Sequence, residues 1–474
     1  MRRTKIVCTM GPATASDDVL RALMLNGMNV ARLNFSHGTH ESHLETINRI
    51  KTMREQLRLP IALMLDTSGP EIRLKDFEND KVELNYGQDF TLTTDDILGD
   101  ETRVAITYEH LYRDVRPGSI ILIDDGQVEL KVKSVVGHDI NCKVMNGGVI
   151  SNHKGVNVPD VSLGLPFVSD KDRSDIIFGI ENGIDFIAAS FVRCADDVKE
   201  LKFLLKEHHG EDTAIIAKIE NREGVRNIDE ILAVADGIMV ARGDLGVEIP
   251  IREIPAIQKL IIKKATAAGK IVITATQMLD SMIHNPRPTR AEATDVANAI
   301  YDGTGAIMLS GETAAGKYPV EAVKTMADIA EYTEGDIDYE KRFRETQHDF
   351  NDSVTNAISH ASGLTAIDIK ADAIITVTQS GYTARMISKY KPSCPIVGCT
   401  PSEKTYYQLN LVWGVTPQML EHIEDSDMLF DSAFNKAIGT GFVRIGKPAV
   451  LTAGLPLGNS SRTNTIRVMT ADRM

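Results

Sequence analysis

Residues 214–244, AIIAKIENREGVRNIDEILAVADGIMVARGD, contain two short apolar runs that both end in charged residues. The first run closes on Lys218-Ile219-Glu220, and the second closes on Arg242-Gly243-Asp244. An amphipathic segment of helical length, Ile228 to Ala235, lies between them. Strand, helix and strand in this order predict two parallel strands whose charged ends lie at the same edge of a sheet.

The same unit recurs along the chain, with further segments of helical length such as Asp17 to Leu25, Ile254 to Ala268 and Ala291 to Ile300. Alternating strands and helices predict a parallel sheet, and eight such units are the number that closes a (β/α)8 TIM barrel, in which active sites lie where the strands end. An open doubly wound sheet is the alternative, and it would also bind ligands at the strand ends. The predicted strands are Lys5–Thr9, Val30–Asn34, Ile61–Asp66, Phe186–Ser190, Ala214–Glu220, Gly237–Asp244, Ile271–Gln277 and Ala306–Glu312.

A long interruption follows the third strand, because the next predicted helix begins only at Asp170 and runs to Ile180. Strict alternation in residues 128–133 and 140–144, with Asp125-Gly126 as a hairpin turn signal, predicts a small all-β insertion. An acidic stretch, Glu334 to Asp352, is interpreted as a connection to a third, α/β region with strands at Ala373–Thr378, Ile396–Cys399, Ala449–Leu451 and Thr465–Met469. The predicted domains are a barrel (1–69 and 170–340), an inserted β-barrel lid (70–169) and a C-terminal α/β regulatory domain (345–474).

Composition limits the classes of function. Hydrophobic residues at 43% and charged residues at 25% are typical of globular proteins, and no apolar run is long enough to cross a membrane. A net charge of -14 disfavours nucleic acid as a partner and favours small ligands. Five cysteines without a CxxC pair argue against a disulfide framework and a zinc site, so we expect a cytoplasmic protein.

The fifth and sixth strand ends carry the strongest chemical signal. The two-residue period of a strand places Lys218 and Glu220 on one face, and Glu220 and Asp244 can converge as hard oxygen ligands for Mg²⁺ or Mn²⁺. Lys218 can stabilise a developing oxyanion, and backbone N–H groups after Gly243 can hold an anion. The alternative is a salt-bridge network at the barrel rim without a metal.

Other strand ends add cations and oxygen donors. Arg32, Asn34 and Ser36 are spaced two apart and are predicted to face one direction. The third strand ends at Asp66-Thr67 with Arg73 soon after, the seventh supplies Thr274 and Thr276, and the eighth supplies Ser310-Gly311-Glu312. Without a catalytic cysteine or a Ser/His/Asp set, these residues indicate phosphate and proton chemistry rather than acyl transfer.

Two kinase-like signals are excluded. Residues 441–447 have the spacing of a P-loop, but Pro448 stands where a Ser or Thr would bind Mg²⁺, so a turn is predicted there. The chain also lacks the HRD and DFG triplets of protein kinases.

The motifs as a set resemble those of the pyruvate kinase family over essentially the whole chain. They are residues 31–38 (ARLNFSHG), 218–220 (KIE), 241–245 (ARGDL), 275–279 (ATQML) and 308–313 (MLSGET). The resemblance implies phosphoryl transfer between phosphoenolpyruvate and ADP, giving pyruvate and ATP through enolpyruvate, as in glycolysis. It also implies dependence on Mg²⁺ and K⁺, a homotetramer and allosteric regulation.

The resemblance assigns roles residue by residue. It implies that Glu220 and Asp244 bind Mg²⁺, that Lys218 and Arg32 contact the transferring phosphoryl group, and that Thr276 lies beside the substrate and its proton-transfer path, with Gly243 nearby. The implied K⁺ ligands are Asn34, Ser36, Asp66 and the Thr67 carbonyl, and the implied nucleotide contacts are Asn34, His37, Arg73 and Lys154 of the lid. The final proton donor stays open between Thr276, Ser310, Glu312 and water.

Two departures and one regulatory site complete the comparison. Ser68 stands where the family usually has Lys, and Leu74 stands where Thr is frequent, whereas Glu71 is the form associated with K⁺-dependent members. In the C-terminal region, Thr378, Ser380, Gly381 and Thr383 are predicted to cradle an effector phosphate, with residues 454–463 as the facing loop. An ordinary capped helix start is the alternative there. The effector could be fructose bisphosphate, AMP or a sugar monophosphate.

Two rival functions stay open at this point. A Mg²⁺-dependent barrel lyase acting on pyruvate or oxaloacetate would share the Lys/Glu/Asp cluster but would need neither a nucleotide lid nor K⁺ ligands. A metabolite-sensing binding protein would be expected to carry a broken catalytic set.

Overall fold

The computed structural model describes residues 2–161, 163–345, 353–456 and 463–471. Within these ranges, eight parallel strands close into a barrel, each strand pairing with the next along the chain and the eighth with the first. The predicted TIM barrel is therefore confirmed, and the open doubly wound sheet is wrong. The barrel strands are Lys5–Thr9, Val30–Asn34, Ala62–Asp66, Phe186–Ala189, Ala214–Ile219, Gly237–Ala241, Ile271–Ala275 and Ala306–Leu309.

Helices cover the outside of the barrel, and several begin at a polar side chain that accepts a free N–H group three residues later, as Ser16, Thr39, Ser169 and Thr289 do. None of the helices in the described ranges combines the length and the apolar character needed to span a bilayer. The barrel helices are Asp17–Asn26, His40–Leu57, Asp170–Glu181, Ala195–Glu207, Arg222–Arg226, Ile228–Val234, Arg242–Glu248, Ile254–Ala267, Arg290–Asp302, Gly311–Ala314, Pro319–Asp336 and Tyr339–Glu345, with 3-10 turns at Pro12–Thr14, Ile251–Glu253 and Asp280–Ile283.

The barrel strands are buried on both sides. Alternate residues of the first strand illustrate this, because Ile6 and Cys8 pack in the cluster that includes the outer helices, whereas Val7 packs in the cluster inside the barrel. The inner cluster continues without interruption into residues of the C-terminal region such as Ile374 and Leu411. The barrel and the C-terminal region therefore share one apolar contact network.

The fourth barrel strand ends one residue earlier than predicted, at Ala189, and the last four are also shorter than predicted at their carboxyl ends. They end at Ile219, Ala241, Ala275 and Leu309, and the chain turns at once into helices that begin at Arg242 and Gly311, or into the left-handed turn after Ala275. The predicted extension of these strands through residues 220, 244, 277 and 312 is wrong. The chemical residues consequently lie on the turns that follow the strands.

The insertion is all-β apart from one short helix, Leu111–Asp114, and it has its own apolar core. The predicted hairpin turn is confirmed: strands Ile120–Ile123 and Val128–Val136 pair antiparallel across it, and Asp124 and Asp125 both have positive φ. The remaining strands are Ile72–Arg73, Lys81–Leu84, Asp89–Thr93, Arg103–Ala105, Asp139–Val144, Gly148–Ser151 and Gly155–Asn157.

The C-terminal region forms a five-stranded sheet, in spatial order Val415–Met419, Ile396–Thr400, Ala373–Val377, Pro448–Ala453 and Thr465–Thr470, with the last strand antiparallel. The strand at Val415–Met419 was not predicted, because its polar and proline residues hide the apolar pattern. The helices are Val354–Asp368, Tyr382–Ser388, Glu403–Leu409 and Ser426–Gly439. Residues 441–447 form the predicted turn, which links the helix ending at Gly439 to the strand beginning at Pro448.

The acidic stretch Glu334 to Asp352 is not simply a connection. Residues 334–336 end one helix and Tyr339–Glu345 form another, and the buried Glu334 accepts the N–H groups of Arg3 and Thr4. Residues 346–352 of the stretch lie outside the described residues. The predicted domain bounds, 1–69 with 170–340, 70–169 and 345–474, stay a prediction.

Candidate active site

Four buried charged side chains meet at the carboxyl ends of the second, third and fifth barrel strands. Lys218 Nζ lies 3.0 Å from Asp66 Oδ1 and 3.0 Å from Glu220 Oε1. Arg32 Nε lies 2.5 Å from Asp66 Oδ2, and its Nη1 donates to Thr9 Oγ1 at 2.9 Å. Two cations and two carboxylates are thus held together in a site from which water is largely excluded.

The protonation of these groups follows from burial and from one another. Burial opposes ionisation of Asp66, but Arg32 and Lys218 outweigh it and hold the pKa of Asp66 below its ordinary value. Burial likewise opposes the charge of Lys218, but Asp66 and Glu220 prevail and raise its pKa. Burial raises the pKa of Glu220 above its ordinary value, the charge of Lys218 opposes this, and the charge of Asp244 adds to it. Glu220 and Asp244 are therefore close enough to repel each other.

Glu220 has one carboxylate oxygen committed and one free of hydrogen bonds. Its Oε2 accepts the N–H of Phe191 at 2.6 Å. Its Oε1 is buried without a hydrogen bond within the described residues, and contacts Lys218 only as an ion pair. A hard cation shared with Asp244 would satisfy that oxygen, so the residues fit a Mg²⁺ or Mn²⁺ ion.

The available ligands also indicate how the coordination shell of such an ion would be completed. No group of three or more His, Cys, Asp or Glu side chains that could enclose a metal occurs in the described part of the chain. Two carboxylates would leave the other positions to water and substrate oxygens, as is usual for Mg²⁺. The alternative interpretation was a salt-bridge network without a metal, and its ion pairs are present as well. The hydrogen bonds of this network do not include Glu220 Oε1.

Thr276 lies in a turn that begins where the seventh strand ends. Its hydroxyl accepts the N–H of Gly243 at 2.8 Å and donates to the Ala275 carbonyl at 2.6 Å. Thr276 is therefore adjacent to the residue that precedes Asp244. Thr274 is not part of this site, because it is fully buried and bonds Thr304.

The predicted K⁺ ligands are near one another at the second and third strands. Asn34 is in register with Asp66, and Asn34 Oδ1 accepts the N–H of Ser36 at 3.2 Å. Ser36 lies in the turn after the strand, so the expectation that Arg32, Asn34 and Ser36 continue one strand face is wrong for Ser36. The Thr67 carbonyl accepts the hydroxyl of Ser190 at 2.7 Å.

Sequence reasoning missed two residues, Ser190 and Arg242. The hydroxyl of Ser190 accepts a hydrogen bond from Lys218 Nζ at 2.7 Å and joins it to the Thr67 carbonyl. Arg242 donates to backbone carbonyls around Thr276. Ser190 stood at the end of a predicted strand, which is the one signal that could have found it. Arg242 is the first residue after another strand, but its carbonyl partners have no side-chain signature.

A lysine from another part of the chain contacts Ser68, which stands where the family usually has a lysine. Lys171 Nζ donates to Ser68 Oγ at 3.2 Å, to the Phe35 carbonyl at 2.6 Å and to Asp175. Ser68 N in turn donates to Asp172 Oδ1. A cation therefore lies at Ser68 although the residue itself is neutral.

A cleft of about 650 Å³ separates the barrel rim from the insertion. Of the predicted site residues, Arg73, Lys154 and Asp244 line it, whereas Asn34 and His37 do not. Lys154 pairs with Asp124 at 2.9 Å, and Arg73 pairs with Glu71 at 2.5 Å. Burial raises the pKa of Asp125, and the nearby Asp244 and Asp124 add to this. The insertion side of the cleft thus carries paired charges, and its Asp125 is near Asp244 on the barrel side.

Two of the remaining candidates for the proton donor, Ser310 and Glu312, follow the eighth strand and differ in their hydrogen bonds. Glu312 is buried and accepts the N–H groups of Leu279 at 3.0 Å and Ser310 at 2.7 Å, so its carboxylate holds backbone in place. Ser310 Oγ is buried and has no hydrogen-bond partner within the described residues.

The predicted effector cradle surrounds the start of the helix Tyr382–Ser388. Gly381 precedes the helix with a positive φ, and no side chain caps it, which disfavours the alternative of an ordinary capped start. Thr383 Oγ1 lies 2.9 Å from Thr463 Oγ1. Residues 457–462 of the predicted facing loop lie outside the described residues. Thr378 donates its N–H to the Cys399 carbonyl, and the Ser380 carbonyl accepts from Arg385.

Comparison with known proteins places this geometry in one family. The model described as "Pyruvate kinase, barrel domain" matches residues 1–323, and "Pyruvate kinase, alpha/beta domain" matches residues 356–469. A pyruvate kinase from Clostridium acetobutylicum is 49% identical over 473 residues, covering 100% of both chains. One from Geobacillus stearothermophilus is 51% identical over 469 residues, covering 98% of this chain and 80% of its own.

A solved structure agrees with these relatives. The crystal structure of a pyruvate kinase from Cryptosporidium parvum superposes with a TM-score of 0.94 at 40% identity, covering 99% of this chain and 96% of the other. The aligned region covers the barrel, the insertion and the C-terminal sheet. The chain belongs to the pyruvate kinase family.

Proposed function

We propose that this chain transfers the phosphoryl group of phosphoenolpyruvate to ADP, giving pyruvate and ATP in glycolysis, at the cluster formed by Lys218, Glu220 and Asp244. One observation carries the proposal: Glu220 Oε1 is buried without a hydrogen bond beside Lys218 and close to the charge of Asp244. Such an arrangement is suited to a divalent cation and an anionic substrate that complete it together.

The chain's own residues supply positioning and charge. Lys218 and Arg32 provide the positive field that a loose phosphoryl-transfer transition state requires, and neither needs to form a covalent bond. Glu220 and Asp244 would hold Mg²⁺, which would neutralise charge on the phosphoryl oxygens. Gly243 and Thr276 would lie against the substrate, and Thr276 next to the path of the proton that converts enolpyruvate to pyruvate.

The insertion acts as a lid in this proposal. Arg73 and Lys154 line the cleft above Asp244 and would contact the phosphates of ADP, while Asn34 and His37 would contact the nucleotide from the barrel side. Closure of a lid excludes water, which would otherwise intercept the phosphoryl group.

A monovalent cation, K⁺, is proposed at Asn34, Ser36, Asp66 and the Thr67 carbonyl. Its support is the clustering of four oxygen donors and the presence of Glu71. Activity is expected to fall when K⁺ is replaced by tetramethylammonium at constant ionic strength. Unchanged activity would remove the K⁺ assignment without affecting the Mg²⁺ site.

Regulation, assembly and location are proposed from the family. A phosphorylated effector at Thr378, Ser380, Gly381 and Thr383 and a homotetramer are proposed from the match to the C-terminal domain of the family. A cytoplasmic location is proposed from the five free cysteines.

The central test measures pyruvate formation from phosphoenolpyruvate with and without ADP. The wild type is expected to require ADP, and Asp244→Ala is expected to lose activity, whereas Asp229→Ala, an exposed aspartate, serves as the matched control. Pyruvate formation without ADP would indicate a lyase, and no activity at all would indicate a metabolite sensor.

A further inference from the structure

The turn after the seventh barrel strand holds an unfavourable backbone shape. Thr276 has φ +67° and Gln277 has φ +54°, so two consecutive non-glycine residues are left-handed. This region is disfavoured for L-residues, most of all for a β-branched one such as threonine. Such a conformation persists only where its surroundings hold it.

Arg242 provides that support. Its Nη2 donates to the carbonyls of Thr276 at 2.7 Å and Gln277 at 3.3 Å, and its Nε donates to the Ala275 carbonyl at 3.3 Å. One guanidinium therefore binds the carbonyls of three consecutive residues. The rigid, planar fork of arginine makes this arrangement specific, and lysine could not reproduce it.

Asp295 in turn orients Arg242. Arg242 Nη1 lies 2.8 Å from Asp295 Oδ1 and 2.7 Å from its Oδ2, and Asp295 projects from the helix Arg290–Asp302. Gln258 Oε1 is a further, longer acceptor at 3.4 Å. The guanidinium is largely buried, and its hydrogen bonds are made to protein atoms.

The same contacts fix the position of the Thr276 hydroxyl. Arg242 is the first residue of the short helix that also contains Gly243 and Asp244, and Gly243 N–H donates to Thr276 Oγ1. We propose that Arg242, oriented by Asp295, is a positioning residue for proton transfer: it holds the Thr276 turn against the segment that carries Asp244. This inference rests on the proposed role of Thr276.

The step concerned is the protonation of enolpyruvate. The electron pair of its carbon–carbon double bond forms a new bond between the methylene carbon and a proton from a hydroxyl or water. The enolate oxygen becomes the carbonyl of pyruvate, and the donor regains its proton from solvent. The reverse step removes a methyl proton from pyruvate, so exchange of that proton with solvent reports on this step alone.

The experiment follows deuterium entering the methyl group of pyruvate in D₂O by NMR, with Mg²⁺, K⁺ and ATP present, alongside kcat and the KM for phosphoenolpyruvate. Arg242→Lys is expected to slow exchange roughly 10- to 100-fold, because a displacement of about 1 Å costs that much in rate. Asp295→Asn is expected to slow it about tenfold and Asp295→Glu less, with KM in both within about twofold of wild type. The control Arg252→Lys changes an exposed arginine and is expected to exchange normally.

Thr276→Val separates the inference from the proposal beneath it. If Thr276→Val exchanges at the wild-type rate, Thr276 has no role in proton transfer, and the inference is overturned with it. If Thr276→Val is slow while Arg242→Lys and Asp295→Asn are normal, only the positioning role of Arg242 is wrong. A lower melting temperature with normal exchange would show that Arg242 is merely structural. Should Arg242→Lys fail to fold, Asp295→Asn decides the question.

Discussion

At the scale of single residues, Lys218 has two separable effects, because it is both the cation of the proposed transfer site and the partner of two buried carboxylates. In Lys218→Met, kcat is expected to fall roughly 10²–10³-fold, as for loss of one stabilising donor in a preorganised site. Asp66 would keep Arg32, whereas Glu220 would lose its cation, so the free energy of unfolding should fall by about 3–5 kcal/mol.

Steady-state kinetics and thermal unfolding test both effects in the same preparation. Lys199→Met, which removes an exposed lysine, should change neither quantity. A Lys218→Met enzyme with kcat within a factor of about two of wild type would contradict the proposed site.

Lys391 links stability to pH. Burial lowers its pKa from 10.5 to about 7, with Arg342 and Arg3 adding to this and Glu334 opposing it. Between pH 7 and 10.5 the unfolded chain binds a proton that the folded chain does not, so the free energy of unfolding rises with pH across this window. Below pH 7 the destabilisation by the buried charge is present in full.

Lys391→Met should therefore be more stable than wild type at pH 6, and the difference should vanish as the pH approaches 10. The midpoint of urea unfolding at pH 6, 8 and 10 measures this. Trp413 is the single tryptophan of the chain, and its ring centre lies 4.4 Å from Lys391 Nζ. The fluorescence of Trp413 therefore reports on the surroundings of Lys391. Lys206→Met, which removes an exposed lysine, should show no such pH-dependent difference.

At the scale of elements, the strand ends show how far sequence predicts the site. The two-residue period brought Lys218 and Glu220 together correctly, although Glu220 lies just beyond its strand. The predicted strand that extended through Asp244 was too long, because apolar residues continue to the point where the helix begins. Tertiary hydrogen bonds, such as Gly243 N–H to Thr276 Oγ1, fix that boundary, and no local pattern encodes them.

Ser190 and Arg242 were missed for the same reason. Both residues form hydrogen bonds to backbone carbonyls. Every residue type has such a carbonyl, so the sequence does not mark these partners. The barrel itself was predictable because it depends on repeated apolar runs, which composition and spacing express directly.

We expect the inserted lid to affect the binding of ADP but not the binding of phosphoenolpyruvate. Lys154 lines the cleft and pairs with Asp124 on the same insertion. Lys154→Met should raise the KM for ADP about tenfold, corresponding to the loss of one charged contact of about 1.4 kcal/mol, and leave the KM for phosphoenolpyruvate unchanged. Initial rates with each substrate varied in turn distinguish these constants.

Lys143→Met is the matched control, since Lys143 is an exposed lysine on the same insertion. If Lys154→Met raised both KM values equally, the insertion would not be specific for the nucleotide.

At the scale of the whole molecule, polar side chains of the C-terminal region bond the amino end of the barrel. Asn410 Nδ2 donates to the carbonyls of Asn29 at 3.0 Å and Pro60 at 2.6 Å. Gln408 and Lys404 bond further barrel carbonyls. Together with the shared apolar cluster, these bonds join the two regions.

Asn410→Leu would leave the Pro60 carbonyl without its Asn410 donor and Asn29 Nδ2 without its Asn410 acceptor, at about 1–3 kcal/mol each. The Asn29 carbonyl would keep the N–H of Ala62. The C-terminal region is then expected to unfold before the barrel, so that calorimetry shows two transitions further apart than in wild type. Asn435→Leu, at an exposed position, is the control. An unchanged calorimetric profile would mean that the apolar cluster alone joins the regions.

Asp66 is a single carboxylate that contacts both Lys218 and Arg32 and is in register with Asn34. A K⁺ ion bound beside Asp66 and a phosphorylated substrate bound by Lys218 and Arg32 would therefore both interact with the negative charge of Asp66. Thermodynamic coupling is reciprocal, so the factor by which K⁺ tightens substrate binding must equal the factor by which substrate tightens K⁺ binding. The concentration of K⁺ that half-saturates the enzyme should accordingly fall as phosphoenolpyruvate rises.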